Sequence, residues 1–194
     1  MLSLSNLTIA IEQHILAKDF AVTILPGAVV NFYGDNGVGK TSLLRTIAGL
    51  RAKHDGEIYV AETHQELCYV AHQNAVQENM TVAENLEFFA KINDTSLALG
   101  AAYKYFSLEE LRHKKCRALS AGQQRLVALA RLSLSSAKIW LLDEPFSNLD
   151  EHNRKKLEQL LTAKTADLGI IIMTAHSKLN FADIVNINLS DWQD

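Results

Sequence analysis

The stretch "AVVNFYGDNGVGKTSLLRTIAGL", Ala28 to Leu50, decides how the rest of the chain is read. Ala28 to Tyr33 is β-branched and aromatic, which predicts a buried strand. Lys40 to Leu50 has helical periodicity and is stopped near Gly49. Between them, Gly34 to Thr41 fits the spacing G-x-x-x-x-G-K-[ST], and a strand before it with a helix after it is the context that gives the spacing meaning. The chemistry needs these residue types. Glycines let the backbone wrap with its N–H groups turned inward. Lys40 is placed to reach the outer phosphates of a nucleotide, and Thr41 to offer a hydroxyl to Mg²⁺.

Working outward, "KIWLLDEP" predicts a second buried strand that ends in Asp143 and Glu144. Carboxylates at the tip of a buried strand sit where ligands bind in open α/β sheets. Asp143 would hold Mg²⁺ through its water shell, and Glu144 could aim at a water beside the terminal phosphate. Alone, Asp-Glu-Pro reads as a strand-ending turn; beside the glycine-rich turn it reads as the second half of a phosphate site. "GIIIMT" is another near-continuous apolar run, as expected of parallel strands covered on both faces. A helix over Glu151 to Ala166 would cross between these strands, with "DIVNINL" as a last short strand.

Near the start, Leu2 to Ile11 alternates with one phase slip, and "FAVTILPG" is a second strand-like run closed by a turn. Gly56 to Ala61 and Leu67 to Ala71 predict two more strands. From about Asn74 to Ser136 the pattern becomes helical. Thr81 with Glu84, Ser107 with Glu110 and Ser120 with Gln123 each have capping-box spacing. The expected architecture is one α/β domain over 1–194, mostly parallel in its core. An antiparallel β part lies at its N-terminus, and the α/β core (1–73 and 137–194) is interrupted by a helical subdomain (74–136).

The 194 residues suffice for such a core, and 48 % apolar with 21 % charged residues is ordinary globular composition. A net charge of −3 argues against a nucleic-acid partner held by charge. Basic spots such as Arg112 to Lys115 read as solvated helix surface. The two cysteines, Cys68 and Cys116, lack metal or redox spacing, and Cys68 reads as a core filler. No apolar run approaches the roughly 18 residues that span a bilayer. "MLSLSNLTIAIEQ" has neither a basic leader nor a continuous apolar core, so no signal peptide is expected and the chain is read as cytosolic.

Six elements in order resemble the ATP-binding subunits of ABC transporters, a P-loop NTPase family. Gly34 to Thr41 is similar to the Walker A loop and "IWLLDE" to Walker B. "LSAGQ", Leu119 to Gln123, is similar to the signature usually written LSGGQ. "SNLD", Ser147 to Asp150, resembles the D-loop, Gln73 in "VAHQN" the Q-loop, and His176 the switch histidine. Within that family, "LSAGQQRLVALARLSLSSAKIWLLDEPFSNLD" and "AHQNAVQENMTVAENLEFF" are similar to the ATPase subunits of the haem exporters of cytochrome c maturation. Taken singly, Gln73 reads as a loop polar residue, His176 as a surface histidine and Asp150 as an N-cap; their joint order carries the resemblance.

The resemblance implies an ATPase that uses ATP and Mg²⁺. Gly34, Asp35, Asn36, Gly37, Val38, Gly39, Lys40, Thr41 and Ser42 would hold the nucleotide. Ser120, Gly122 and Gln123 would complete the site of a second copy in a head-to-tail dimer formed on ATP binding, and Asp150 would communicate across it. Thr41, Gln73 and Asp143 would serve the metal. Glu144 would act as general base, His176 would touch the outer phosphate and orient Glu144, and Gln73 would reach the lytic water. Physics supports the two-sided site independently, since donors are needed all round the transferred phosphoryl group and Gly34 to Thr41 can surround one side. Ala121, where the signature usually has glycine, predicts an ordinary helical φ there.

The implied setting is the inner face of the cell membrane, with integral membrane subunits in separate chains and no nucleic acid. Such a subunit energises transport, here of haem or of another cargo; a soluble ATP-driven clamp of the same type is the other reading. The chain has no Cys-Pro pair, no Cys-x-x-Cys-His and no legible haem pocket, so any haem would be handled by partners. One departure stands out. The family stacks adenine on an aromatic residue near the end of the first strand, and here that position falls near Ile11. Packing on Ile11 or His14 would have to replace the ring, which implies weak discrimination between ATP and GTP.

Overall fold

The computed structural model describes residues 1–11, 14–61, 67–181 and 183–192, and only the backbone of Ile11 and His14. Two compact units emerge. The first comprises Met1–His72, Ala137–Pro145 and Glu158–Asp194, and the second Gln73–Ser136 and Phe146–Leu157.

The first unit is built on two sheets. Strands β1 (Leu2–Ile11), β2 (His14–Ile24) and β4 (Asp55–Val60) form an antiparallel sheet in the order β2-β1-β4. Strands β3 (Val29–Tyr33), β5 (Leu67–Val70), β6 (Ile139–Leu142), β7 (Ile170–Ala175) and β8 (Val185–Asn188) form a sheet in the order β5-β6-β7-β3-β8. Every pairing in this second sheet is parallel. β6 is buried along its whole length, as its run of Ile139, Trp140, Leu141 and Leu142 requires.

The phase slip read in β1 has a structural cause. Leu2, Leu4, Leu7 and Ile9 are all buried, and the register shifts between Leu4 and Leu7. Asn6 takes φ 48 at that point, so a bulge returns the next apolar pair to the core face. Gly56 on β4 faces this bulge; a Cβ there would lie 2.2 Å from the Asn6 carbonyl oxygen, which only glycine avoids. The β1 side chains join one apolar cluster with Phe32 of β3, Leu43 and Leu44 of helix α1 (Lys40–Ile47), and Ile139, Leu141, Ile170 and Ile172 of the parallel sheet. Phe20 fixes its centre edge-on, 5.5 Å from the Phe32 ring and 4.9 Å from Trp192. At about 1.5–3 kcal/mol for each large side chain removed from water, this cluster is the main source of rigidity under the loops that follow the strands.

The second unit holds helices α2 (Val82–Ile92), α3 (Leu99–Tyr105) and α4 (Ala121–Ala130), and the first turns of α5 (Glu151–Ala166). Thr81 and Glu84 form the expected capping box of α2, and hydrogen bonds from the Thr81 backbone and hydroxyl hold the Glu84 carboxyl below its ordinary pKa. Ser120 and Gln123 do the same for α4. The third expected box, Ser107 with Glu110, does not form. Ser107 takes φ 54 just past the end of α3. Its N–H donates to Lys104 O and the Leu108 N–H to Tyr103 O, the paired bonds of a Schellman ending. Leu108 is fully buried, so its side chain pins the chain in a helix stop and Ser107 is never offered as a helix start.

Cys68 and Cys116 are buried thiols without a disulfide. Cys116 accepts a hydrogen bond from Asn85 Nδ2 at 3.3 Å, and burial raises its pKa. Among the described residues no helix is long and apolar enough to cross a membrane.

Candidate active site

The loops that follow the parallel strands of the first unit bring the candidate residues together. After β3 the chain turns through Gly34, Gly37 and Gly39, all at positive φ, and enters α1. Gly39 is the N-cap and supplies no side-chain bond, and no acidic residue lies in the first turn. The free N–H groups of this helix start therefore face outward with their partial positive charge, as an anion site requires. Lys40 is 6 % exposed, and its Nζ donates to the carbonyls of Gly34 at 2.6 Å and Asp35 at 2.9 Å. The lysine thus braces the curve of its own loop. Asn36, Gly37, Gly39, Lys40, Thr41, Ser42 and Glu144 line a cleft of about 180 Å³. Val38 turns away from it into the core cluster.

Asp143 follows β6 and is 1 % exposed. The Thr41 hydroxyl donates to its Oδ2 at 2.8 Å, which ties the α1 start to the tip of β6. The Thr174 hydroxyl of β7 donates to the other carboxylate oxygen, Oδ1, at 2.7 Å. The same Thr174 oxygen accepts the Glu144 N–H at 3.0 Å. Sequence reading passes over Thr174; its position inside an apolar strand, two residues before His176, is the signal that was available. It is fully buried and links both acidic residues. The Thr174→Val variant should therefore lose about 2 kcal/mol of unfolding free energy, because a buried acceptor and a backbone donor each lose a partner. Urea titration checks this, with Thr174→Ser expected near wild type; a loss below about 0.5 kcal/mol for valine would contradict it.

The residues present fit a hard divalent cation. A hydroxyl and a carboxylate, both oxygen donors, meet where Thr41 lines the cleft. Among the described residues no cluster of three or more His, Cys, Asp and Glu side chains surrounds a point in space. A cation here would keep water and phosphate oxygens as its remaining ligands, which suits Mg²⁺. Burial first, and then the Asp143 charge, push the Tyr69 phenol above its ordinary pKa, so it stays neutral beside the carboxylate.

Glu144 takes φ 48, a left-handed conformation uncommon for a side chain of its kind. Its Oε2 lies 3.1 Å from His176 Nε2 and 3.3 Å from His72 Nδ1. The His176 contact matches the expected pairing. His72 is a residue that sequence reading did not single out.

The remaining candidates belong to the second unit. Gln73 opens it and is exposed. Behind it the buried Arg125 of α4 donates from Nη1 to Asn74 Oδ1 at 3.2 Å. Ser120 Oγ accepts the Gln123 N–H at 3.2 Å while Gln123 Oε1 accepts the Ser120 N–H at 3.0 Å. Ala121 opens α4 with ordinary helical geometry. Gly122 has a steric duty within its own chain: a Cβ would approach the Asn148 carbonyl oxygen to 2.9 Å. Asp150 caps α5, its Oδ1 accepting the Asn153 N–H at 2.8 Å. The side chains of Ile11 and His14, where adenine packing is expected, lie outside the described residues.

The ABC transporter family model matches residues 17–147. The cytochrome c biogenesis ATP-binding export protein CcmA of Rickettsia typhi is 40 % identical over 184 residues, covering 92 % of this chain and 93 % of that protein. The protein of the same name from Vibrio vulnificus is 36 % identical over 195 residues, covering 94 % and 95 %. Among solved structures, a Pyrococcus furiosus protein assigned to the ABC transporter ATP-binding proteins superposes with TM-score 0.87 at 27 % identity, covering 100 % of this chain and 99 % of that one. A dimeric bacterial ABC transporter cassette shares the fold, with TM-score 0.84 at 24 % identity over 97 % and 95 % of the two chains. The chain belongs to the ABC transporter family, as one of its ATP-hydrolysing, ATP-binding subunits.

Proposed function

We propose that this chain is the motor subunit that energises haem export in cytochrome c maturation, working with integral membrane subunits at the inner face of the cell membrane. Its likeness, over nearly the whole chain, to export proteins named for cytochrome c biogenesis supports that cargo. The observation that carries the chemistry is Glu144, held at the β6 tip on the wall of the same cleft as the Gly34–Thr41 loop.

The geometry supports the following roles. The outward N–H groups of the loop and of α1 bind the phosphates, and Lys40 adds the charge. Thr41 and Asp143 would hold Mg²⁺, which would supply neutralisation of negative charge beside the nucleotide. Glu144 takes the proton from the attacking water at its carboxylate, while His176 orients that carboxylate and faces the outer phosphate. Gln73, which resembles the Q-loop glutamine, is a further candidate for serving the water and the metal.

Ser120, Gly122 and Gln123 complete the site of a second copy, closing it against water, and Asp150 carries the state of one site to the other. Ser120 is exposed, and its hydroxyl already accepts the Gln123 N–H, so its remaining capacity as a donor can turn to a phosphate oxygen. Ser120→Arg should leave ATP binding by the monomer unchanged and abolish ATP-dependent dimerisation. Sedimentation with ATP measures the second and equilibrium nucleotide binding the first. Loss of monomer binding would mean that Ser120 serves its own chain's site. Mass identification of proteins that co-purify with the chain from membranes tests the transport setting, with a multispanning haem-handling subunit as the expected partner.

A further inference from the structure

Glu144 is approached by an imidazole from each neighbouring strand. In the order β5-β6-β7, His72 follows β5, Glu144 follows β6 and His176 follows β7. Both rings meet one oxygen, Oε2, at 3.3 Å from His72 Nδ1 and 3.1 Å from His176 Nε2. We propose that His72 is a positioning residue for ATP hydrolysis that fixes the plane of the Glu144 carboxylate jointly with His176. The proposal rests on the reading of Glu144 as the base.

A neutral imidazole carries one N–H, so it can donate from only one of its nitrogens. For both rings to serve Oε2, His72 carries its proton on Nδ1 and His176 on Nε2. A carboxylate oxygen accepts two such bonds through its two lone pairs. One donor leaves the carboxylate able to swing about its last torsion; two donors from opposite sides break as it swings. The backbone below is already fixed, because the Glu144 N–H donates to Thr174. The main chain and Oε2 are thus both held, and the carboxylate plane follows. Alignment of a base with its water is the kind of geometry that changes turnover rather than substrate affinity. Both histidine side chains are 57 % exposed, whereas Glu144 is 14 % exposed. Replacing His72 therefore opens no cavity and leaves the fold intact.

The test uses the full chain and compares steady-state ATP hydrolysis by wild type, Glu144→Gln, His72→Ala, His72→Asn and His72→Phe, with His72→Ala repeated on the Glu144→Gln background. His72→Ala is expected to lower kcat about tenfold with KM for ATP within about twofold. His72→Asn places a side-chain N–H near the Nδ1 position and is expected to recover most of the rate. His72→Phe keeps the ring without the donor and should match alanine, which also covers a failure of the alanine variant to fold. On the Glu144→Gln background His72→Ala should cost nothing further, since a residue that acts through Glu144 has nothing left to position. A His72→Ala rate within twofold of wild type, equal losses for asparagine and alanine, or a full tenfold loss on the Glu144→Gln background would each overturn the assignment. Should Glu144→Gln itself hydrolyse ATP at the wild-type rate, the reading of Glu144 falls, and the role of His72 with it. If Glu144→Gln is impaired and His72→Ala is not, only the role of His72 falls.

Discussion

Replacing Glu144 by Gln is expected to lower kcat for ATP hydrolysis about 10²–10⁴-fold while nucleotide affinity stays within about threefold. The substitution preserves volume and keeps an oxygen that can still accept from the two histidines. The backbone N–H donation to Thr174 is untouched, so the left-handed turn at this position survives. What the amide cannot do is take a proton from water. The cleft wall therefore keeps its shape and loses its base. A variant that binds ATP without consuming it should also accumulate as an ATP-dependent dimer. Phosphate release, equilibrium nucleotide binding and sedimentation together check the three parts. Turnover within threefold of wild type would show that the base is elsewhere.

The second large effect is expected at Lys40. Its ammonium is buried, and both its hydrogen bonds go to neutral backbone carbonyls, Gly34 O and Asp35 O. Those bonds satisfy two of its three donors without neutralising its charge. A phosphate oxygen would do both, and the loop that Lys40 braces is the loop that must receive it. Lys40→Ala removes the cation and the brace together. A hydrogen bond to a charged group is worth about 1.5–3 kcal/mol, so Kd for ATP should rise on the order of 10²-fold. Calorimetric or fluorescence titration reads this directly. The fold should survive at a cost of about 1–3 kcal/mol, because the exposed Asp35 can offer its carbonyl to water whereas the carbonyl of the buried Gly34 is left without its donor. An unchanged Kd would remove Lys40 from the nucleotide site.

Local rules carried the sequence far where the signal is local. The apolar runs of β3, β6 and β7 gave the parallel sheet, and the phase slip at Asn6 was already a bulge in writing. Capping boxes formed at Thr81 and Ser120, where an apolar helical pattern follows at once. The same spacing failed at Ser107, because Leu108 is needed in the core and the preceding helix takes the serine as its stop. The spacing of a capping box says nothing about which helix owns the serine. At the site, Lys40, Thr41, Asp143, Glu144 and His176 were legible because each stands in a recognisable run. Thr174 and His72 were not. Their contacts with Asp143 and Glu144 exist only because β5 and β7 flank β6, and strand order is a property of the whole sheet.

The parallel sheet also acts as a ruler. His72 stands two residues beyond β5, Asp143 and Glu144 one and two beyond β6, His176 one beyond β7 and Gly34 one beyond β3. Neighbouring strands are held about 4.8 Å apart by their backbone ladders. The lateral spacing of the imidazoles, the carboxylates and the phosphate loop is therefore set by peptide geometry and owes nothing to the identity of the apolar side chains beneath. The core can drift in sequence, Ile for Val or Leu for Met, while the site keeps its dimensions. A single inserted or deleted residue within β6 or β7 has the opposite effect, since it turns every following side chain to the other face. Substitution is tolerated beneath this site, whereas a change of strand length is not.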